Sequence, residues 1–289
     1  MPGMIFVDPF EIRSIVTGWF RLDGGAMFGV VPKELWSDRV DVDERNRIKL
    51  AMRTLLAIDR AAGRVVLVDT GAGTKWDPKS ADRFAIDYDG QAIERALAEE
   101  GLSGDEVTDV VVTHLHFDHN GGLTEWADGP GGETRLRFPR ARHWLHEAHW
   151  KHARRPTPKD KASFLPVDLS GLEDALTLLT GDAPADPMLG VSWFISHGHT
   201  PFQIHPVFGA GESKLIFTGD VIPTTNHISL PWVMAYDLLP VSTISEKQMI
   251  YARCRSGETC LAFPHDPELS GVTLDAGADR PTMEQGLHF

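Results

Sequence analysis

Residues 113–122 read T-H-L-H-F-D-H-N-G-G, with three histidines and one aspartate inside six positions. A soluble domain has little structural use for so many imidazoles side by side, because buried polar clusters without partners are costly. Zinc is held by histidine nitrogens and aspartate oxygens, and a short loop can aim several of them at one point. The run Val110-Val111-Val112 reads as a strand ending just before His114. His114 and His116 are two apart, so in extended backbone they project to one side. Asp118 and His119 follow where the chain turns towards a helix expected to begin near Asn120. The loop offers two ligand pairs aimed at neighbouring positions, which suits two metal ions better than one.

Outward from this loop, Val65-Val66-Leu67-Val68 and Leu215-Ile216-Phe217 are further apolar runs that read as buried strands. Each ends in a polar, glycine-containing turn. Ala92 to Glu100 has helical spacing and stops at Gly101. Strands alternating with helices predict an α/β class, here as one domain over 1–289. No repeat or linker divides the chain. From about 125 to 187 the sequence is loop-rich and carries Trp126, Trp144 and Trp150, so it reads as an inserted lid laid over the scaffold. His143, His146, His149 and His152 recur every three residues. On a helix such a series drifts around the axis, so a partly exposed helix of the lid is expected rather than another metal site.

The chain has 289 residues, 42% of them hydrophobic, enough for a sizeable core. Its net charge of -13 repels phosphate backbones and argues against nucleic acid as a partner. No stretch is long and apolar enough for a membrane span, so no membrane partner is expected. The start lacks a basic region and carries Asp8 and Glu11, unlike a signal peptide. With only Cys254 and Cys260, free thiols and a cytoplasmic location are expected. The partner is a small-molecule substrate, and a homodimer is compatible with the composition.

Four ligands on one loop cannot complete two sites. His199 in S-H-G-H-T-P, Asp220 in F-T-G-D and His265 in A-F-P-H-D are the further candidates, with His197 the rival to His199. With V-D-T-G at 68–71, H-L-H-F-D-H at 114–119, G-H-T at 198–200, T-G-D at 218–220 and P-H at 264–265, the chain resembles the metallo-β-lactamase fold superfamily. The resemblance implies an αββα sandwich with two zinc ions at one edge. It implies His114, His116 and His199 on one metal, Asp118, His119 and His265 on the other, and Asp220 bridging. Asp69 would orient the metal loop or a ligand histidine.

His116 stands where iron-dependent relatives carry an acidic residue, which favours zinc hydrolysis. R-L-D-G-G-A-M-F-G-V-V-P-K at 21–33, G-D-V-I-P-T-T-N-H at 219–227 and P-W-V-M-A-Y-D at 231–237 resemble the quorum-quenching lactonase and organophosphate hydrolase branch. The implied reaction is lactone opening, with N-acyl-homoserine lactones as candidates, by a hydroxide shared between the metals. Asp118 and Asp220 would be catalytic. Pro223 replaces the tyrosine that many lactonases carry three positions after the bridging aspartate, and Tyr236 or His227 is expected to substitute. Met27, Phe28 and Trp150 complete the expected substrate-binding set, although Met27 and Phe28 read equally as core. Alternatives at the same site are a phosphotriesterase or arylesterase and a glyoxalase-II-type thioesterase. A metal-binding module without catalysis is the alternative of another class.

Overall fold

The computed structural model of the protein describes residues 3–182, 190–209, 213–254, 258–275 and 281–289. Arg64–Val68 forms the strand its apolar run predicts. Its side chains alternate, Val66 and Val68 entering one core and Val65 and Leu67 another. A strand buried on both faces has no position for polar residues, hence the unbroken run. Asp109–Val111 pairs parallel to it, followed by Arg142–His146 and Leu176–Leu179. On the other side Arg47–Asp59, Phe10–Asp23 and Ile5–Val7 are antiparallel, and Asp87–Tyr88 adds to Phe10–Asp23. A second sheet runs in the order Val191–Ser196, Gln203–Phe208, Lys214–Phe217, Thr259–Ala262, Gly271–Asp275, Thr282–Leu287.

The largest core lies between the sheets, where Phe10, Leu55, Val68 and Trp144 meet Trp193, Phe208, Phe217 and Ala262. Helix Ala92–Glu99 covers the outer face of the first sheet through Ile93 and Leu97. It ends at Gly101, whose φ of 74° closes the turn with Gly101 N donating to Ala98 O. Helix Pro240–Arg253 covers the second sheet through Ile250 and Tyr251. The layers are helix, sheet, sheet, helix: an αββα sandwich. Cys254 and Cys260 are free, buried thiols. Among the described residues no helix is long and apolar enough to cross a membrane.

The segment 125–187 is not simply laid over this scaffold. Arg142–His146 and Leu176–Leu179 are strands of the first sheet, and Trp144 is core, its Nε1 donating to Asp109 Oδ1 at 2.8 Å. Residues 183–187 lie outside the described residues. The four-histidine series is split between that strand and the short helix Glu147–Ala153, with His143, His146 and His149 buried rather than partly exposed. The turn after His116 also starts earlier than expected, as the one-turn helix Phe117–Asn120.

Candidate metal centre

Strand Asp109–Val111 delivers Thr113 to Asn120 to the edge where the two sheets open. Asp69, at the end of the neighbouring strand, holds this loop from behind. Its Oδ1 accepts from Thr113 N and its Oδ2 from Thr113 Oγ1, both at 2.8 Å. Asp69 sits at φ 57°, in the left-handed region that few residues besides glycine, asparagine and aspartate adopt. The same Oδ2 accepts from His119 Nδ1 at 2.8 Å.

Three other histidines are oriented in the same way. His114 Nδ1 meets Thr113 Oγ1 at 3.0 Å, His199 Nδ1 meets Asp237 Oδ1 at 3.0 Å, and His265 Nδ1 meets Ala51 O at 2.8 Å. Each partner fixes the proton on Nδ1 and turns the Nε2 lone pair inward. His116 presents Nδ1 instead, 3.1 Å from Nε2 of both His114 and His199.

The inward atoms form two groups, His114, His116, His199 and Asp220, and Asp118, His119, Asp220 and His265, each with its atoms within 4.8 Å of one another. Asp220 belongs to both. Its Oδ2 lies 3.3 Å from His199 Nε2, and its Oδ1 lies 3.1 and 3.0 Å from His119 and His265 Nε2. Asp118 Oδ2 is 3.4 Å from His265 Nε2. All seven side chains are buried.

Five inward lone pairs and two carboxylates with no donor set between them repel one another. This is the arrangement a pair of divalent cations neutralises, so the residues fit such metals. Burial holds His114 and His116 well below the usual imidazole range. Burial also opposes charge on His119 and His199, but Asp220 with the neighbouring carboxylates outweighs it and raises both. Asp118 is raised by burial.

A small cavity of about 140 Å³ opens onto these residues. Leu22, Met27, Phe84, Phe117, Met234, Ser163 and Tyr236 line it beside His116, Asp118, His199, Asp220 and His265, with no lysine or arginine among them. Two of the five expected substrate contacts, Met27 and Tyr236, therefore face the cavity. Phe28 lies behind, stacked between Trp36 and His227 at ring distances of 5.0 and 5.1 Å. His227 commits both nitrogens, to Met27 O and Thr224 Oγ1 at 2.8 Å each, and burial pushes it down to about 4. Trp150 packs in the helix-side core and faces a different hollow, because its helix runs behind the segment that walls the cavity. His197 joins neither group.

Several supports escaped the sequence reading. His149 Nε2 accepts from Leu115 N at 2.8 Å while its Nδ1 donates to Pro201 O at 2.7 Å. It joins the 114–119 loop to the loop carrying His199, and burial pushes it down to about 3, keeping it neutral. Asp237 orients His199 from the far side. On helix Pro240–Arg253, Glu246 accepts from His197 N at 2.6 Å and Gly198 N at 3.0 Å. Its neighbour Lys247 donates to Ser229 O at 2.6 Å and Trp232 O at 3.1 Å. The sequence signals were present only as a histidine in a misread series and as charges on an otherwise amphipathic helix.

A sequence model described as the Metallo-beta-lactamase superfamily matches residues 55–260. The human protein named acyl-coenzyme A thioesterase MBLAC2 is 27% identical over 202 residues, 65% of this chain; the match spans 62% of the human protein's length. A crystal structure of a probable metal-dependent hydrolase from Staphylococcus aureus shares 28% identity, covers 98% of this chain and 100% of its own, and has a TM-score of 0.85. AidC, a dizinc quorum-quenching lactonase in complex with the product N-hexanoyl-L-homoserine, matches at a TM-score of 0.77 and 16% identity over 99% and 98% of the two chains, a likeness of fold.

Proposed function

Because the chain belongs to the metallo-beta-lactamase superfamily, whose sequence model matches well over half of it, we propose that this metal-dependent hydrolase is a dinuclear zinc lactonase. Its leading substrates are lactones carrying an apolar substituent, N-acyl-homoserine lactones among them. The observation that carries the dinuclear reading is Asp220, whose two oxygens face two separate groups of buried ligands. The similarity of fold to a dizinc lactonase supports the substrate class.

His114, His116 and His199 would hold one ion, Asp118, His119 and His265 the other, with Asp220 between them. When bound, the zinc pair would supply a nucleophile at neutral pH and a Lewis acid for the carbonyl oxygen. The protein supplies the rest. Asp118 borders the cavity and is placed to pass a proton to the alkoxide that leaves as the ring opens. Burial pushes the Tyr236 phenol up to about 12, so it keeps its proton and serves as a donor to a substrate oxygen. His227 has no nitrogen left for that task. Leu22, Met27, Phe117 and Met234 exclude water and favour an uncharged ligand.

Thioester hydrolysis is the second reading, favoured by the identity shared with the human thioesterase. Against it stands the inner cavity, whose lining among the described residues holds no lysine or arginine to meet an anionic leaving group. Zinc analysis with turnover of a panel (neutral lactones, a phosphotriester, S-lactoylglutathione, an acyl-CoA) tests the proposal. Two zinc equivalents and fastest turnover of a neutral lactone are expected. One equivalent or less under metal-replete conditions ends the dinuclear reading. Faster turnover of the thioesters than of every lactone ends the lactonase reading.

A further inference from the structure

The cavity over the ligands, about 140 Å³, falls short of the roughly 300–1,000 Å³ that whole small-molecule ligands occupy. A hollow of about 880 Å³ lies next to it, and Ala162, itself exposed, borders both. The strip Lys161–Phe164 lies along both: Lys161, Ala162 and Phe164 line the hollow, and Ala162 and Ser163 line the cavity. Phe164 puts its ring 4.9 Å from that of His116 on one side and lines the hollow on the other.

The strip is held at both ends. Asp160 bonds His152 Nε2 and Thr157 Oγ1 at 2.6 Å each. Beyond it, Asp168 lies 3.2 Å from the buried ammonium of Lys75, which also donates to the Gly121 and Thr124 carbonyls next to the metal loop. The hollow is thus part of the same framework as the ligands.

We propose that the hollow over Trp150 is the subsite for an extended acyl chain, reached from the metal cavity past Ala162. This rests on the lactonase reading only for what occupies the inner cavity. The floor is apolar, with Trp150 7% and Phe164 5% exposed, and Leu165 and Leu169 continue it. Arg154 lies over the Trp150 ring, 5.5 Å from its centre, and Lys161 stands at the rim. Such stems cover an apolar chain while their charges stay in water. An uncharged polymethylene chain fits this chemistry: each methylene it buries strengthens binding by about fourfold before ordering costs are subtracted.

The test compares KM for N-butanoyl- and N-decanoyl-homoserine lactone in the wild type, Leu169→Asp and Ser170→Trp. It adds calorimetric binding of decanamide, which needs no turnover. The wild type should show a KM at least about tenfold lower for the decanoyl lactone, with decanamide binding. Leu169→Asp makes the floor polar and Ser170→Trp fills the volume. Each should raise the decanoyl KM at least about tenfold more than the butanoyl KM and weaken decanamide binding alike. Equal KM changes for both lactones, or no decanamide binding by the wild type, overturns the subsite. So does a Leu169→Asp protein that loses a dimer while its decanoyl preference persists, because the hollow is then an interface between copies. If neither lactone turns over but decanamide binds and both variants abolish that binding, the subsite stands and the lactonase reading falls.

Discussion

Changing Asp220 to asparagine removes one of the two negative oxygens that the two ligand groups share, and nothing else in either group can replace it. Partners that merely orient a ligand cost about 10–100-fold when lost, so a shared ligand should cost at least the upper end, about 100-fold in turnover, with metal content falling below two equivalents. Retained turnover with full metal would assign the bridge to another group. His149→Ala is expected to lower zinc affinity about 10–100-fold, read by competition with a chelator, because the two ligand loops lose their common backbone partner. At this scale the candidate metal loop was legible because four of the six positions 114–119 carry metal-binding side chains. Asp69 was legible through V-D-T-G. His149 was not, since its role depends on Leu115 and Pro201, which approach it only in three dimensions.

Helix Pro240–Arg253 places two adjacent, opposite charges on two different loops, Glu246 under His197 and Gly198 and Lys247 under residues 229–232. Burial pushes the Lys247 ammonium down to about 7, against about 10.4 in an unfolded chain. Between those values the unfolded protein binds more protons than the folded one, so stability rises with pH across that window and the cost of the buried charge is greatest below pH 7. Urea unfolding at pH 7, 8 and 9 should show a gain of up to about 1.4 kcal/mol per pH unit that disappears in Lys247→Met. An unchanged slope in the variant would place the titration elsewhere. Elements with unbroken apolar runs were legible, because a strand buried on both faces leaves no ambiguity. Arg142–His146 was missed because its buried faces carry His143 and His146, residues that ordinarily signal a loop or surface.

On the scale of the whole molecule, the seven proposed ligands gather repelling lone pairs in a buried site, so stripping the proposed metal should lower the melting temperature. Zinc at about a thousand times its dissociation constant contributes about 4 kcal/mol by linkage. Scans with chelator and after zinc repletion measure this, and identical melting in both would mean that the ligands hold no ion in solution. The net charge of -13 adds that KM for anionic esters should fall with added salt while KM for neutral lactones stays flat. The class and layers of the sandwich were legible from alternating strands and helices. The separation of the metal-side cavity from the larger hollow was not, since it depends on which side of the strip 161–164 each wall falls. The ligands also come from distant parts of the chain, His119 and His265 being 146 positions apart and rooted in different sheets. Closing so long a loop is an entropic cost met only when the sheets dock, so an ion held by the proposed ligands would find its full coordination late on the folding route. Zinc should therefore leave the refolding rate nearly unchanged and slow unfolding, acting as a latch on the finished fold rather than as its seed.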